Sequence, residues 1–148
     1  MNMTITWQEL LSLTRQGDSE DLKFYGSIEH EDELGPMVTA MANTHGGRII
    51  VGFDVHNYHL IGTDVDDTWV RRVLEQWCYP VPECQFSYIE RADKKILVLS
   101  IETSQKKPYY YKNKCYVLNM DQSKMSVMEK QNSTPDVFVD EDQQEVEP

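Results

Sequence analysis

Ala42-Asn43-Thr44-His45-Gly46-Gly47-Arg48-Ile49-Ile50-Val51-Gly52-Phe53-Asp54 carries the end of one element and the whole of the next. Upstream, Leu34, Met37, Val38 and Met41 recur at helical spacing, which predicts an amphipathic helix ending near Asn43. Pro36 suits its first turn, and the acids between Glu29 and Glu33 complement a helix N-terminus. Gly46-Gly47 supplies the permissive backbone a helix needs to stop and reverse. The run from Arg48 to Phe53 is almost wholly apolar and too short for a helix. It reads as a central strand buried on both faces, with Asp54 at its exit.

On the N-terminal side, Thr6-Trp7-Gln8-Glu9 has capping-box spacing ahead of Leu10, Leu11 and Leu13, a short first helix. A polar turn over 16–19 leads into a brief strand over 22–25. On the C-terminal side, a tight connection through Asn57 returns the chain along 59–62. Asp66 or Asp67 then caps a second long helix with the stripe Trp69, Val70, Val73, Leu74 and Trp77, ended by Pro80 and Pro82. Strands over 85–90 and 95–102 flank the polar turn 91–94, and Ile96 to Leu99 suggests another central strand. A last strand pair, 109–112 and 115–118, flanks Asn113-Lys114. The sum is an α+β fold, about three helices on one mostly antiparallel or mixed sheet, in a single lobe.

The chain has 148 residues, 40% hydrophobic and 26% charged, enough for one core. Its 25 acids against 14 Lys and Arg give a net charge of −11, which excludes a generic electrostatic binder of phosphate backbones or anionic membranes. No run approaches the roughly 18 apolar residues of a membrane span. The first residues lack an export-signal profile, so a cytoplasmic protein is expected. Residues 129–148 hold seven acids against Lys130 and few apolar side chains, and read as a solvated tail after a folded domain at 1–128. A sharper account has that tail competing with an anionic ligand for a basic site. Cys78, Cys84 and Cys115 show no Cys-x-x-Cys spacing, so reduced, mostly buried thiols are expected. His56 and His59 flank Asn57-Tyr58 and read as a polar turn in preference to a metal pair.

The most distinctive local composition is Lys106-Lys107-Pro108-Tyr109-Tyr110-Tyr111-Lys112-Asn113-Lys114, which opposes the acidity of the whole. Cations tracking phosphates and rings stacking on bases hold single-stranded nucleic acid. On a hairpin, Tyr109 and Tyr111 would share one face and Tyr110 and Lys112 the other. The structural alternative is that one tyrosine face completes the core while the lysines solubilise an edge strand.

Asp21-Leu22-Lys23, a helix, the segment from Ala42 to Asp54, Ile61-Gly62, and later Pro108 and Tyr116-Val117 resemble the divergent AlbA-like domain shared with Schlafen proteins, over about residues 16–126. The resemblance implies a nucleic-acid-directed role, and in some Schlafen proteins metal-dependent RNA cleavage by three carboxylates. Mapped by motif, those positions fall on Gln16, Asp21 and Asp54, so one acid is missing and the second is shorter than the usual Glu. A neutral amide is a poor ligand for Mg²⁺. Leu118 also stands where the family usually places an arginine.

Three readings follow. The first is a module binding RNA or single-stranded DNA through Lys106, Lys107, Tyr109, Lys112 and Lys114, with Lys23 and Arg48 as helpers. It would work as a homodimer, because some Schlafen enzymes form a cradle from two such lobes. The second is an endoribonuclease with Asp21 and Asp54 as catalytic ligands of Mg²⁺ or Mn²⁺; otherwise no cofactor is expected. The third is a protein-interaction or assembly module that has kept the scaffold and lost the ligand.

Overall fold

The computed structural model describes residues 5–103, 106–121 and 124–129. The acidic tail expected from residue 129 therefore lies, beyond Glu129, outside the described residues. Thr6 closes a capping box with Glu9, its hydroxyl accepting from Glu9 N at 3.1 Å and its own N–H donating to Glu9 Oε1 at 2.8 Å. This starts helix α1, Trp7–Gln16. Strand β1, Leu22–Tyr25, follows, and then helix α2, Glu31–Ala42. The helix begins a turn earlier than expected, capped by His30 Nδ1 on Asp32 N. Pro36 thus sits in the second turn, where it cannot donate to the carbonyl four residues back.

Strands β2 (Gly47–Val51), β3 (Phe53–Asp54) and β4 (His59–Leu60) lead to helix α3, Asp67–Trp77. Asp66 caps α3, accepting from Trp69 N at 3.0 Å. Then come β5 (Cys78–Tyr79), β6 (Cys84–Arg91), β7 (Lys94–Ile101), β8 (Tyr110–Tyr111), β9 (Lys114–Asp121) and β10 (Lys124–Glu129).

The strands make two four-stranded sheets, not one. The first has the order β1-β2-β7-β6, with β1 and β2 parallel and the other neighbours antiparallel. The second has the order β10-β9-β8-β5 and is antiparallel throughout, while β3 and β4 form a separate ribbon. Strand β10, Lys124–Glu129, has no counterpart among the strands expected from the sequence. The hairpin turn before β9 is also displaced by one residue. It is Lys112-Asn113, both at positive φ (49° and 68°), so Lys114 pairs with Tyr111. That geometry matches the twist of tight hairpins.

The expected double burial of the central strand holds. Ile49 and Val51 enter one core with Leu97, Leu99 and Ile101. Ile50 enters the other with Ile96 and Val98. Helix α1 delivers Leu10 to the second core, and α2 and α3 deliver Leu34, Val38, Met41, Val70 and Val73 to the first. Helix α2 touches both β7 and β9, so it is the layer between the two sheets. Among the described residues no helix is long and apolar enough to cross a membrane.

Candidate functional site

Asn43 and the two glycines after it join α2 to the central strand. Gly46 has φ of 76°, and a Cβ there would stand 2.5 Å from the Ile101 carbonyl oxygen. On Gly47 a Cβ would stand 2.8 Å from the Asp21 carbonyl oxygen. The close approach these glycines permit is to the chain's own strands. Asn43 is equally occupied. Its side-chain amide donates to the carbonyls of Tyr109 (3.0 Å) and Tyr116 (2.9 Å), and its Oδ1 accepts from Tyr109 N at 2.7 Å.

That bracket carries the tyrosine run inward. Tyr109, Tyr110 and Tyr111 are all buried, at 0%, 5% and 2% exposure. The expected alternation of an inner and an outer tyrosine face is not what the structure shows, because the run lies under α2 as core. Tyr111 donates its hydroxyl to Asp32 Oδ1 at 2.7 Å. Burial, then that hydrogen bond, push its phenol well above the usual range.

The lysines are spent in a similar way. Lys112 reaches Asp32 at 2.8 Å and Glu31 at 3.1 Å and lies 4.6 Å from the Trp77 ring centroid. Lys106 approaches Glu83 at 3.8 Å, and Lys23 pairs with Asp18 at 3.1 Å. Arg48 is half-buried opposite Leu22, on the sheet face away from Lys23, while Lys107 and Lys114 remain exposed. Of the seven residues nominated for nucleic acid, Tyr109 is buried, Lys23, Lys106 and Lys112 lie beside acids, and Arg48 is half-buried.

The carboxylates separate as well. Asp21 precedes β1, its carbonyl accepting from Arg48 N, and its side chain accepts from Ser19 Oγ at 2.8 Å. Asp54 lies past the other end of the parallel pair, its Cβ 3.5 Å from where a Cβ on Gly26 would be. Five residue steps along extended chain part Asp21 from Gly26, about 17 Å at ~3.3 Å per step. Oxygen ligands sit about 2.0–2.6 Å from a divalent cation, so these two acids cannot share one. The two acids expected to ligate one metal thus stand at opposite ends of the parallel pair β1 and β2. Asp54 instead closes the turn that follows, accepting from Asn57 Nδ2 at 2.8 Å and from the N–H groups of His56 and Asn57. The Asn57 side chain, then the backbone donors, hold its carboxyl below the usual range. Gln16 is exposed at the end of α1. Among the described residues no three His, Cys, Asp or Glu gather as a metal site. Nor are Cys78 and Cys84 poised as nucleophiles, since burial pushes their thiols up to about 12.

Sequence reasoning missed two concave surfaces that meet at Gly62, Thr63 and Asp64. One, of about 420 Å³, is lined also by Ile28, Glu29, Val65 and Trp69; the other, of about 330 Å³, by Asp93, Lys94 and Lys95. The Ile61-Gly62 pair is the signal the sequence offers there. The first carries Glu29 and Asp64 and no cation, and the second balances its charges, so neither is built for a polyphosphate.

The model of the family described as Schlafen, AlbA_2 matches residues 18–129. The DIP2311 protein of Corynebacterium diphtheriae superposes with a TM-score of 0.56 at 17% identity, over 82% of this chain and 26% of that one. The N-terminal domain of a Nitrosomonas europaea protein described as related to the ATP-dependent DNA helicase RecG gives 0.55 at 20% identity, over 74% of this chain and 82% of that one. At these identities the likeness is one of fold, and the chain spans about a quarter of the corynebacterial protein. No curated protein matches the chain.

Proposed function

The chain belongs to the Schlafen AlbA_2 family, a family of nucleic-acid-related domains, and from that premise we propose that it is a member that neither cleaves nor grips nucleic acid and acts by assembling with protein. One observation carries the reading: the Lys106–Lys114 segment puts its tyrosines into the core and its central lysine onto Glu31 and Asp32. Phosphate binding requires cations free to replace condensed counterions, and a net charge of −11 opposes a polyanion at longer range. The separation of Asp21 from Asp54 supports the absence of cleavage.

The test is fluorescence anisotropy of labelled single-stranded RNA and DNA with the full chain at low ionic strength, beside incubation of RNA with Mg²⁺ or Mn²⁺. The expected outcome is no saturable binding and intact RNA. Salt-sensitive binding that Lys107→Glu and Lys114→Glu weaken would restore the nucleic-acid module. RNA cleavage lost in Asp54→Ala would restore the nuclease.

A further inference from the structure

Strand β6 is eight residues long, and each pairs one-to-one with β7, from Cys84 with Ile101 to Arg91 with Lys94, without a bulge. Among the described residues no strand lies on its other side. Alternate residues of an antiparallel strand turn their N–H and C=O groups outward, so half of β6 presents an unpaired ladder. Proteins blunt such edges with lysine, proline, bulges or short length. The opposite edge follows that rule, because β1 has four residues. Strand β6 does not: from Cys84 through Ile89 it has no charge and no proline.

We propose that this edge pairs with the β6 edge of a second copy of the chain, antiparallel about a twofold axis at Ser87, joining two four-stranded sheets into one of eight strands. The inference rests on the assembly reading above and names its partner. A second copy fits because the strand is self-complementary in one register. Twofold pairing sets one residue opposite itself, and directly opposed residues share a sheet face. With Ser87 at the axis, Phe86 faces Tyr88 and Gln85 faces Ile89. Glu83 then faces Arg91 of the second copy at both ends, an attractive cross-strand pair repeated twice.

Neighbouring registers are worse. Centring on Tyr88 sets Glu83 against Asp93, a like-charge pair. Centring on Phe86 sets Arg91 against Val81 and Glu90 against Pro82, which has no N–H to give. Both members of the favoured pair are accessible. The Glu83 side chain is 60% exposed and lies 3.8 Å from Lys106. Arg91 is exposed, 5.0 Å above the Trp7 ring.

Sedimentation velocity on the full chain, from low to high micromolar concentration, tests the pairing. The wild type is expected to dimerise. Arg91→Glu and Glu83→Arg should each weaken the dimer about tenfold, and the double exchange should restore it. A monomer throughout, or single exchanges that leave the dissociation constant unchanged, would overturn the proposal. Circular dichroism reports whether Arg91→Glu still folds; if it does not, Glu83→Arg, outside the strand, carries the test. Oligonucleotide anisotropy on the same samples separates the two failures. A monomer that binds no oligonucleotide refutes the β6 pairing alone, whereas a dimer that binds one refutes the assembly reading and leaves the pairing standing.

Discussion

Replacing Asn43 by alanine separates a structural motif from a ligand-binding one. The substitution removes the acceptor of Tyr109 N–H and the donor to the carbonyls of Tyr109 and Tyr116. Carbonyls, with two lone pairs each, tolerate the loss better than an N–H enclosed beside a fully buried tyrosine. A made hydrogen bond contributes about 1 kcal/mol net, and a buried group left unpaired costs about 1–3 kcal/mol. Counting the N–H in full and the carbonyls in part gives a destabilisation of about 3 kcal/mol. Urea unfolding with a slope of about 2 kcal/mol/M would register this as a midpoint about 1.5 M lower, with the slope unchanged. Asn43→Asp keeps the acceptor but sets a carboxylate against two carbonyl oxygens. Its folded-state pKa is therefore raised, and its deficit should deepen as pH rises through that value. A midpoint lowered by less than about 0.3 M in Asn43→Ala would refute the bracket and return Asn43 to the pool of candidate ligand contacts.

A Cβ added at Gly35 would clash with the Cδ1, Cε1 and Cζ atoms of Tyr111, which is buried and held by Asp32. Gly35→Ala should cost about 3 kcal/mol, a melting temperature about 10 °C lower by circular dichroism, and Tyr111→Leu in the same chain should recover part of it. A hydrogen bond from Lys112, then one from Tyr111, lowers the pKa of Asp32 from 3.8. A carboxyl depressed on folding contributes stability above its unfolded pKa and loses it as pH falls through the folded one. Lys112→Met should therefore flatten the loss of stability below about pH 4, as read from urea midpoints across pH.

The backbone plan was legible where the cause is local. The Thr6–Glu9 box, the Asp66 cap, the double glycine and the apolar run of β2 each act within a few residues and place their elements, although the run expected as one strand to Phe53 ends at Val51 and Phe53 belongs to β3. The site was not, because its outcome depends on distant partners. Nothing near Lys112 announces Glu31 and Asp32, some eighty residues earlier, and only the packing of β8 on α2 brings them together. The tyrosines misled for the same reason. Alternation assumes a strand with a wet face, whereas β8 has only two residues and both are buried. For Asp21 and Asp54 the missing fact was strand direction. Two acids flanking a strand pair meet if the strands are antiparallel and lie at opposite ends if they are parallel, and spacing alone does not distinguish the cases.

The charge of the chain bears on both the lost ligand and the proposed partner. A surplus of eleven negative charges repels an oligonucleotide and a second copy alike. At physiological ionic strength the screening length is about 8 Å, so the distribution of charge near the contact decides the outcome. Around the Lys106–Lys114 segment the acids Glu31, Asp32 and Glu83 stand against two of the four lysines, Lys106 and Lys112. Along β6 the stretch from Cys84 through Ile89 is neutral, with Glu83 just before it and Glu90 and Arg91 at its far end. The two kinds of complex then respond to salt with opposite sign. Phosphate binding releases counterions and weakens as salt rises. Pairing two acidic copies along a neutral edge leaves net repulsion as the main long-range effect, so the dimer should tighten between low and physiological ionic strength. A dimer that loosens steeply with added salt would mean that charge pairs, not the open ladder of β6, hold it together.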